Sequence, residues 1–501
     1  MTYYENLKKL KKINDQLKYY KTIEALMDLD QWSSLPKQGS AYRQQVAAFV
    51  AGQKSDLMAT DEVKSLVDYF SAYDLEKIND YVEKGLIRNF LFRYNGTSRV
   101  PKEKLQKVSA LKAVTTGKWI EAKEKSDYSI FKPYLEEVFI LKKEIAGYID
   151  SSKNPFEVLV NITDEGICYD EVVREFDKLK TGIKELLNKI NNSDVIIDDN
   201  FLMLEQSPQL MEDFARELIF ELGYNIEKGA FAKVPHAFTS FMGPKDARIS
   251  TYSKGLVGLL FTYIHESGHA MYAYGGNDKV NEMNMFGGNE GGFHEAQSRF
   301  YENIIGRSYE YWKHTYPKLQ QKFECFKGIS LDDFYKAINK VQPNVKRTIS
   351  DEVTYSLHPI IRFELEKELF EGSLNFDDLP KAWNDKYEEY LGIRPNSDAE
   401  GVLQDMHWAG DYIAYFQSYA LGNIYDGQIR NSVLKDIPDF YSKIEKGDFK
   451  SISSWFEKNI YCYSNCLTSG ELMKNLTGET LNADHFLKYL NDKYNDIYKF
   501  S

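Results

Sequence analysis

From Leu7 onward, Leu10, Ile13, Leu17, Tyr20, Ile23 and Leu26 recur at steps of three and four, with lysines between them. That spacing draws an apolar stripe along one helical face and predicts a long amphipathic helix at the start of the chain, serving as scaffold, lid or dimer element. Helical patterning continues over Asp61 to Phe92. After a polar Tyr94-Asn95-Gly96-Thr97 turn it runs from Lys102 to Ala146, then over Asp170 to Ile190 before the Asn191-Asn192-Ser193-Asp194 loop. Strict alternation is scarce and no repeat period emerges.

The texture changes between Val234 and Thr251, where Pro235, Gly243 and Pro244 break up short apolar runs. Ala237 to Phe241 and Arg248 to Tyr252 read as strands of a small hairpin or ribbon. Helical spacing returns with Leu256, Leu259, Leu260, Tyr263 and Ile264. Glycine pairs at 275–276, 287–288 and 291–292 then mark a mobile connection before helices resume at Phe293. These glycines follow no strand and lack the G-x-G-x-x-G order, so they are not a dinucleotide loop. The pattern describes an all-α chain, mainly helical with one small β ribbon. It reads as a single two-lobed unit over 1–501: a helical lobe to about 230, a central region over about 231–430 and C-terminal helices over 431–501.

Composition narrows the partners. A formal charge of −12 argues against nucleic acid, whose phosphates are bound through clusters of Lys and Arg. The first residues, M-T-Y-Y-E-N-L-K-K-L-K-K, carry charge from the outset and hold no apolar signal core, and no run reaches the roughly 18 apolar residues of a membrane span. A cytoplasmic protein without a membrane partner is expected. Cys168, Cys325, Cys462 and Cys466 are too scattered for a disulfide framework. Cys462 and Cys466 stand at C-x-x-x-C spacing without the second pair or nearby histidine that a metal site there would need.

The chemistry gathers at Phe261 to Ala270, F-T-Y-I-H-E-S-G-H-A, which contains H-E-x-x-H as His265, Glu266 and His269. On a helix, residues four apart share a face, so both imidazoles can close on one metal ion. Glu266 then stands beside the ion without ligating it, placed to take a proton from a metal-bound water whose pKa the metal lowers toward about 7. Seven of the eight histidines fall between 236 and 407, the eighth being His485; His314 and His485 read as ordinary structural residues. A third ligand is required. Tyr272 and Gly275 stand where a metzincin would have its glycine and third histidine, which excludes that arrangement. A second helix beginning near His294-Glu295 offers Glu295 and, about 100° around the axis, His294.

Six ordered motifs across nearly the whole chain resemble the carboxypeptidase Taq family of metallocarboxypeptidases. H-P-F stands as His236-Ala237-Phe238, D-x-R-x-T as Asp246-Ala247-Arg248-Ile249-Ser250, H-E-x-x-H intact, and H-E-S/G-Q as His294-Glu295-Ala296-Gln297. I-R-x-x-A-D survives as Lys346-Arg347-Thr348-Ile349-Ser350-Asp351, and G-x-x-Q-D-x-H-W is complete from Gly401 to Trp408. Arg394, in Ile393-Arg394-Pro395-Asn396-Ser397-Asp398, imitates the fifth motif but lies just upstream of the sixth, where the family has a loop.

The resemblance implies Glu295 as third ligand, a helical fold with a deep substrate cleft, and a homodimer. It also implies removal of single residues from peptides with a free C-terminus, with one divalent metal ion: zinc first, cobalt or manganese as alternatives. Internal cutting by an oligopeptidase, or a metal-free peptide-binding scaffold, are the competing readings. Arg347 is assigned to the substrate carboxylate, because a planar guanidinium binds one bidentately; its alternative is an ion pair with Asp351. Arg248 reads as a pair with Asp246 beside the site, with substrate contact as its second role. His407 and a phenol from Tyr415 or Tyr419 are assigned to the developing oxyanion, and His236 to the substrate groove.

Overall fold

The computed structural model describes residues 2–234, 237–252 and 255–500. Helix α1 (Tyr3–Ser33) begins in a capping box, Thr2 accepting from Glu5 N while Glu5 reaches back to the cap, so two exposed amides of the first turn are satisfied together. It buries Leu7, Leu10 and Ile13 against Val63, Leu66, Phe70 and Phe90, a small core that also takes in Val280, Met285 and Cys466. A second, much larger core runs from Val100 to Tyr498.

Two expected breaks move. The turn at 94–97 lies inside a helix, Tyr81–Ser98, because Leu86, Ile87 and Phe90 anchor that segment in the small core and outweigh the cost of Gly96, about 1 kcal/mol. The expected run from Lys102 to Ala146 is divided into Lys102–Lys125 and Lys132–Ile149, with Ser126 in the left-handed region at φ 51° as the C-cap of the first.

The ribbon is a three-stranded sheet. β1 (Gly229–Lys233) runs parallel to β3 (Asp246–Thr251), and β2 (Phe238–Gly243) runs antiparallel to β3 on its other side, with an irregularity between Phe241 and Gly243. β3 is central and buries Ala247 and Ile249 under helix α2 (Leu256–Tyr274). α2 is apolar around most of its circumference, as a helix at the centre of a large protein must be.

The glycine-rich stretch after α2 is fastened, not mobile. Gly288 N donates to Ser464 Oγ (3.0 Å), Asn289 N to Tyr272 Oη (2.9 Å) and Gly292 N to Asp164 Oδ1 (2.6 Å). α1 ties down the same stretch from outside, through Asn14 to Met283 O, Lys18 to Phe286 O and Lys21 to Glu290. It leads into helix α3 (Gly292–Arg299), which continues as a π-helical turn, Phe300–Ile305. Helices α4 (Leu357–Glu371) and α5 (Gln417–Asp436) complete the frame around the cleft.

α3 lies clamped between α2 and α5, and glycine permits both approaches. A Cβ on Gly268 would meet Gln297 O at 2.5 Å, and one on Gly422 would meet Glu295 Cγ at 2.8 Å. The distance between the two halves of H-E-x-x-H and Glu295 is therefore set by the absence of two methyl groups.

Candidate functional site

One face of α2, carrying Val257, Phe261, His265, Glu266 and His269, lines a cleft of about 1250 Å³, together with Glu295 and Arg299 from α3 and Arg347 to Ser350. One group among the described residues brings three metal-capable ligand atoms together: His265, His269 and Glu295, all within 4.8 Å of one another. Nε2 of His269 lies 3.4 Å and Nε2 of His265 3.7 Å from Glu295 Oε2. Two imidazole nitrogens and one carboxylate oxygen at this separation fit a divalent cation with a coordination position left open.

Each ligand is oriented from behind. His265 Nδ1 is 2.9 Å from Glu302 Oε2, the arrangement that holds an imidazole proton on the far nitrogen and leaves Nε2 turned inward. Arg299 bridges the two carboxylates, donating from Nε to Glu295 (2.9 Å) and from Nη1 to Glu302 (3.2 Å). Burial works against ionisation of Glu302, yet Arg299 and His265 prevail and hold it at about 2; Glu295 is likewise depressed against burial by Arg299 and His265. His269 Nδ1 meets a different partner, His294 Nδ1, at 2.7 Å. His294, the rival third ligand, thus faces His269 and stands outside the ligand set; burial and the neighbouring His269 push its imidazole down to about 3, so it is neutral. Glu266 accepts from Thr239 Oγ1 on β2 at 2.6 Å.

A second polar cluster occupies another stretch of the wall. Arg347, in a 3-10 turn (Arg347–Ile349), is buried beneath the ring of Tyr419, 4.6 Å from its centroid. It donates to Tyr355 Oη (3.2 Å) and to Asp405 Oδ1 (3.3 Å), while its Nε finds no partner among the described residues. Arg362 of α4 pairs with Asp405 at 2.7 Å. Burial opposes ionisation of Asp405, but the two guanidiniums hold it far below the usual carboxylate range. Tyr355 joins the clusters, since the guanidinium of Arg299 lies 3.8 Å over its ring.

Tyr415 and Tyr419 line the cleft; His407 sits behind them, its Nε2 3.2 Å from Tyr419 Oη and its ring stacked on Tyr415. Burial pushes the Tyr415 phenol up to about 12, so it is a proton donor at neutral pH. Asp351, the alternative partner of Arg347, instead accepts from the amides of Val353 and Thr354. Arg248 is gripped by Asp246 through two bonds of 2.8 and 2.7 Å and is not part of the described cleft wall. Arg394 pairs with Asp385 and Glu388 at the surface. His314 pairs with Glu221 and His485 with Glu479. Cys462 and Cys466 are free thiols outside any described metal group. His236 lies outside the described residues.

Sequence reading passed over Glu302, Thr239 and Tyr355. Glu302 alone had a visible signal, standing seven residues beyond Glu295 and so close to the same helical face.

Residues 9–494 match the sequence family described as Carboxypeptidase Taq (M32) metallopeptidase. The chain is 33% identical over 488 residues to Carboxypeptidase 1 of Bacillus subtilis, covering 96% of this chain and 97% of that protein. It is 30% identical over 514 residues to Thermostable carboxypeptidase 1 of Thermus thermophilus, with 99% of each covered. Among solved structures, the M32 carboxypeptidase of Deinococcus radiodurans superposes with a TM-score of 0.94 at 29% identity, over 99% of this chain and 100% of that one. The Pyrococcus furiosus carboxypeptidase superposes with a TM-score of 0.94 at 30% identity, over 98% and 99%.

Proposed function

The chain belongs to the carboxypeptidase Taq (M32) family of metallopeptidases and is a metal-dependent carboxypeptidase; from that premise we propose which of its residues do the work. His265, His269 and Glu295 would hold one divalent ion, zinc before cobalt or manganese, which when bound supplies Lewis acidity to the scissile carbonyl and to a water molecule. Glu266 takes a proton from the attacking water and delivers it to the leaving amine, base first and acid afterwards. Thr239 keeps that carboxylate in one orientation through its 2.6 Å bond.

Arg347, buried in the wall of the same cleft, receives the substrate's terminal carboxylate. Tyr415 and Tyr419 offer phenolic protons to the oxygen on which charge develops, and His407 acts through Tyr419, behind which it lies. Arg248 belongs to the Asp246 pair, and His236 is retained from the sequence as a groove residue. The unit spans 1–501, a reading supported by the large core from Val100 to Tyr498 and by the small core in which the first helices pack against Val280, Met285 and Cys466. Four free thiols support a cytoplasmic setting, and family resemblance supports a homodimer that light scattering can check.

The observation that carries this reading is the presence, in one cleft, of the His265, His269 and Glu295 donor set and the guanidinium of Arg347. Mass analysis of products from a ten-residue peptide tests it. Single amino acids released successively from the C-terminus are expected; internal fragments would favour the oligopeptidase reading instead.

A further inference from the structure

His265 and His269 are oriented by unlike partners. His265 has a carboxylate behind it, which can only accept; His269 has a second imidazole, which can accept or donate. His294 is 8% exposed, with the ring of Phe241 stacked on it at 5.6 Å and 13°, and Tyr272 packed edge-on at 5.1 Å. Held between two rings, the imidazole has little room to turn away from His269.

Two neutral rings whose Nδ1 atoms are 2.7 Å apart share one proton between those atoms, and it has two possible homes. If His294 carries it, His269 bears its own proton on Nε2, the very atom 3.4 Å from Glu295, and that atom is then closed to a cation. If His269 carries it, Nε2 is open, and the proton of His294 moves to its own Nε2. That nitrogen is buried and has no partner among the described residues. The arrangement that opens the ligand set therefore leaves an N–H unpaired in the interior, and the closed one leaves the same nitrogen as an unpaired acceptor. Without a cation both arrangements have something against them; with one, only the open arrangement works.

We propose that His294 is a positioning residue that sets the tautomer of His269, and that cation binding draws this histidine pair from a mixture of two proton arrangements into one. The inference rests on reading His265, His269 and Glu295 as the ligands. It makes His294 a determinant of metal affinity whose change of proton arrangement no carboxylate in its place would imitate, since a carboxylate would hold the open arrangement permanently.

Three variants of the full chain test it by competition for zinc against a chromogenic chelator, with the unfolding temperature of each metal-free variant as a check on folding. His294→Phe keeps the stack on Phe241 and removes the acceptor; zinc affinity is expected to fall about 10- to 100-fold. His294→Asn returns an acceptor near the Nδ1 position and is expected to restore most of that loss. His294→Asp, a fixed acceptor, is expected to bind zinc at least as tightly as the unaltered chain. Wild-type affinity in His294→Phe, or a loss in His294→Asn equal to that in His294→Phe, would overturn the proposal. His269→Ala separates the two readings: if it holds zinc as the unaltered chain does, the ligand assignment itself fails, whereas failure confined to the His294 variants sinks only this inference. Nitrogen-15 NMR of the histidine rings in the unaltered protein needs no variant. It should find the His269 proton wholly on Nδ1 with zinc and divided between the nitrogens without it; a single arrangement in both states contradicts the proposal.

Discussion

Two buried polar clusters share the cleft wall, built from similar parts and opposite in charge. Around the H-E-x-x-H helix, Glu266, Glu295 and Glu302 outnumber Arg299 and Arg307, leaving a negative excess where a cation would sit. Around the 3-10 turn, Arg347 and Arg362 outnumber Asp405, leaving a positive excess where a carboxylate would sit. Tyr355 links them, under the guanidinium of Arg299 and hydrogen-bonded to that of Arg347. Buried charge that is not fully paired costs folding free energy, and these two clusters fall short in opposite senses. Under the proposed assignments each excess would be matched by one part of the reaction: the divalent ion by the first, the peptide's terminal carboxylate by the second. The cleft is thereby polarised before substrate arrives.

Changes at the negative cluster should act on the metal and the attacking water. Glu266→Gln should lower kcat by about 10²- to 10⁴-fold while zinc content, read by elemental analysis, stays unchanged. Glu302→Gln replaces the accept-only carboxylate behind His265 by a neutral amide that can also donate, and should weaken zinc binding about 10- to 100-fold in chelator competition, with a smaller loss of kcat at saturating zinc. Gly422→Ala would drive a methyl group toward Glu295 Cγ; urea unfolding should report about 1–3 kcal/mol of destabilisation, accompanied by looser zinc.

The smallest effect is expected at Glu366, beside the positive cluster. Glu366, one turn from Arg362 on α4, accepts from Trp408 Nε1 (2.6 Å) and Ala414 N (2.9 Å), and burial pushes its carboxyl up to about 8. Protonated, it leaves the positive excess intact. Folding is favoured by this retained proton below the unfolded pKa near 4.5, and that advantage is lost as pH rises toward about 8, because the unfolded chain releases a proton the folded one keeps. Chemical unfolding across that range should register the decline, and KM should rise above pH 8 as ionised Glu366 offsets Arg362. Glu366→Gln should flatten both profiles.

The negative cluster was the more legible of the two in the sequence, for a physical reason. His265, Glu266 and His269 lie within two turns of one helix, so spacing alone states their geometry, and Glu295 and Glu302 repeat that logic on a second helix. The positive cluster joins Arg347 to Asp405 across 58 residues, and local spacing suggested Asp351, which in the fold is occupied with backbone amides. Long-range pairing also hid β1, since a strand that runs parallel to β3 with β2 between them in sequence leaves no hairpin signal. The glycines between 275 and 292 suggested looseness, but anchors as distant as Asp164 and Ser464 hold them.

The opposed polarity of the two clusters is tested most directly by one pair of substrates, a peptide with a free C-terminus and the same peptide amidated, given to the zinc-loaded enzyme and to Arg347→Met. The unaltered enzyme should strongly prefer the free acid. In Arg347→Met that preference should collapse, through a loss of about 2–5 kcal/mol of transition-state stabilisation for the acid and little change for the amide. An Arg347→Met enzyme that keeps the full preference would contradict the account, since the carboxylate would then be bound elsewhere.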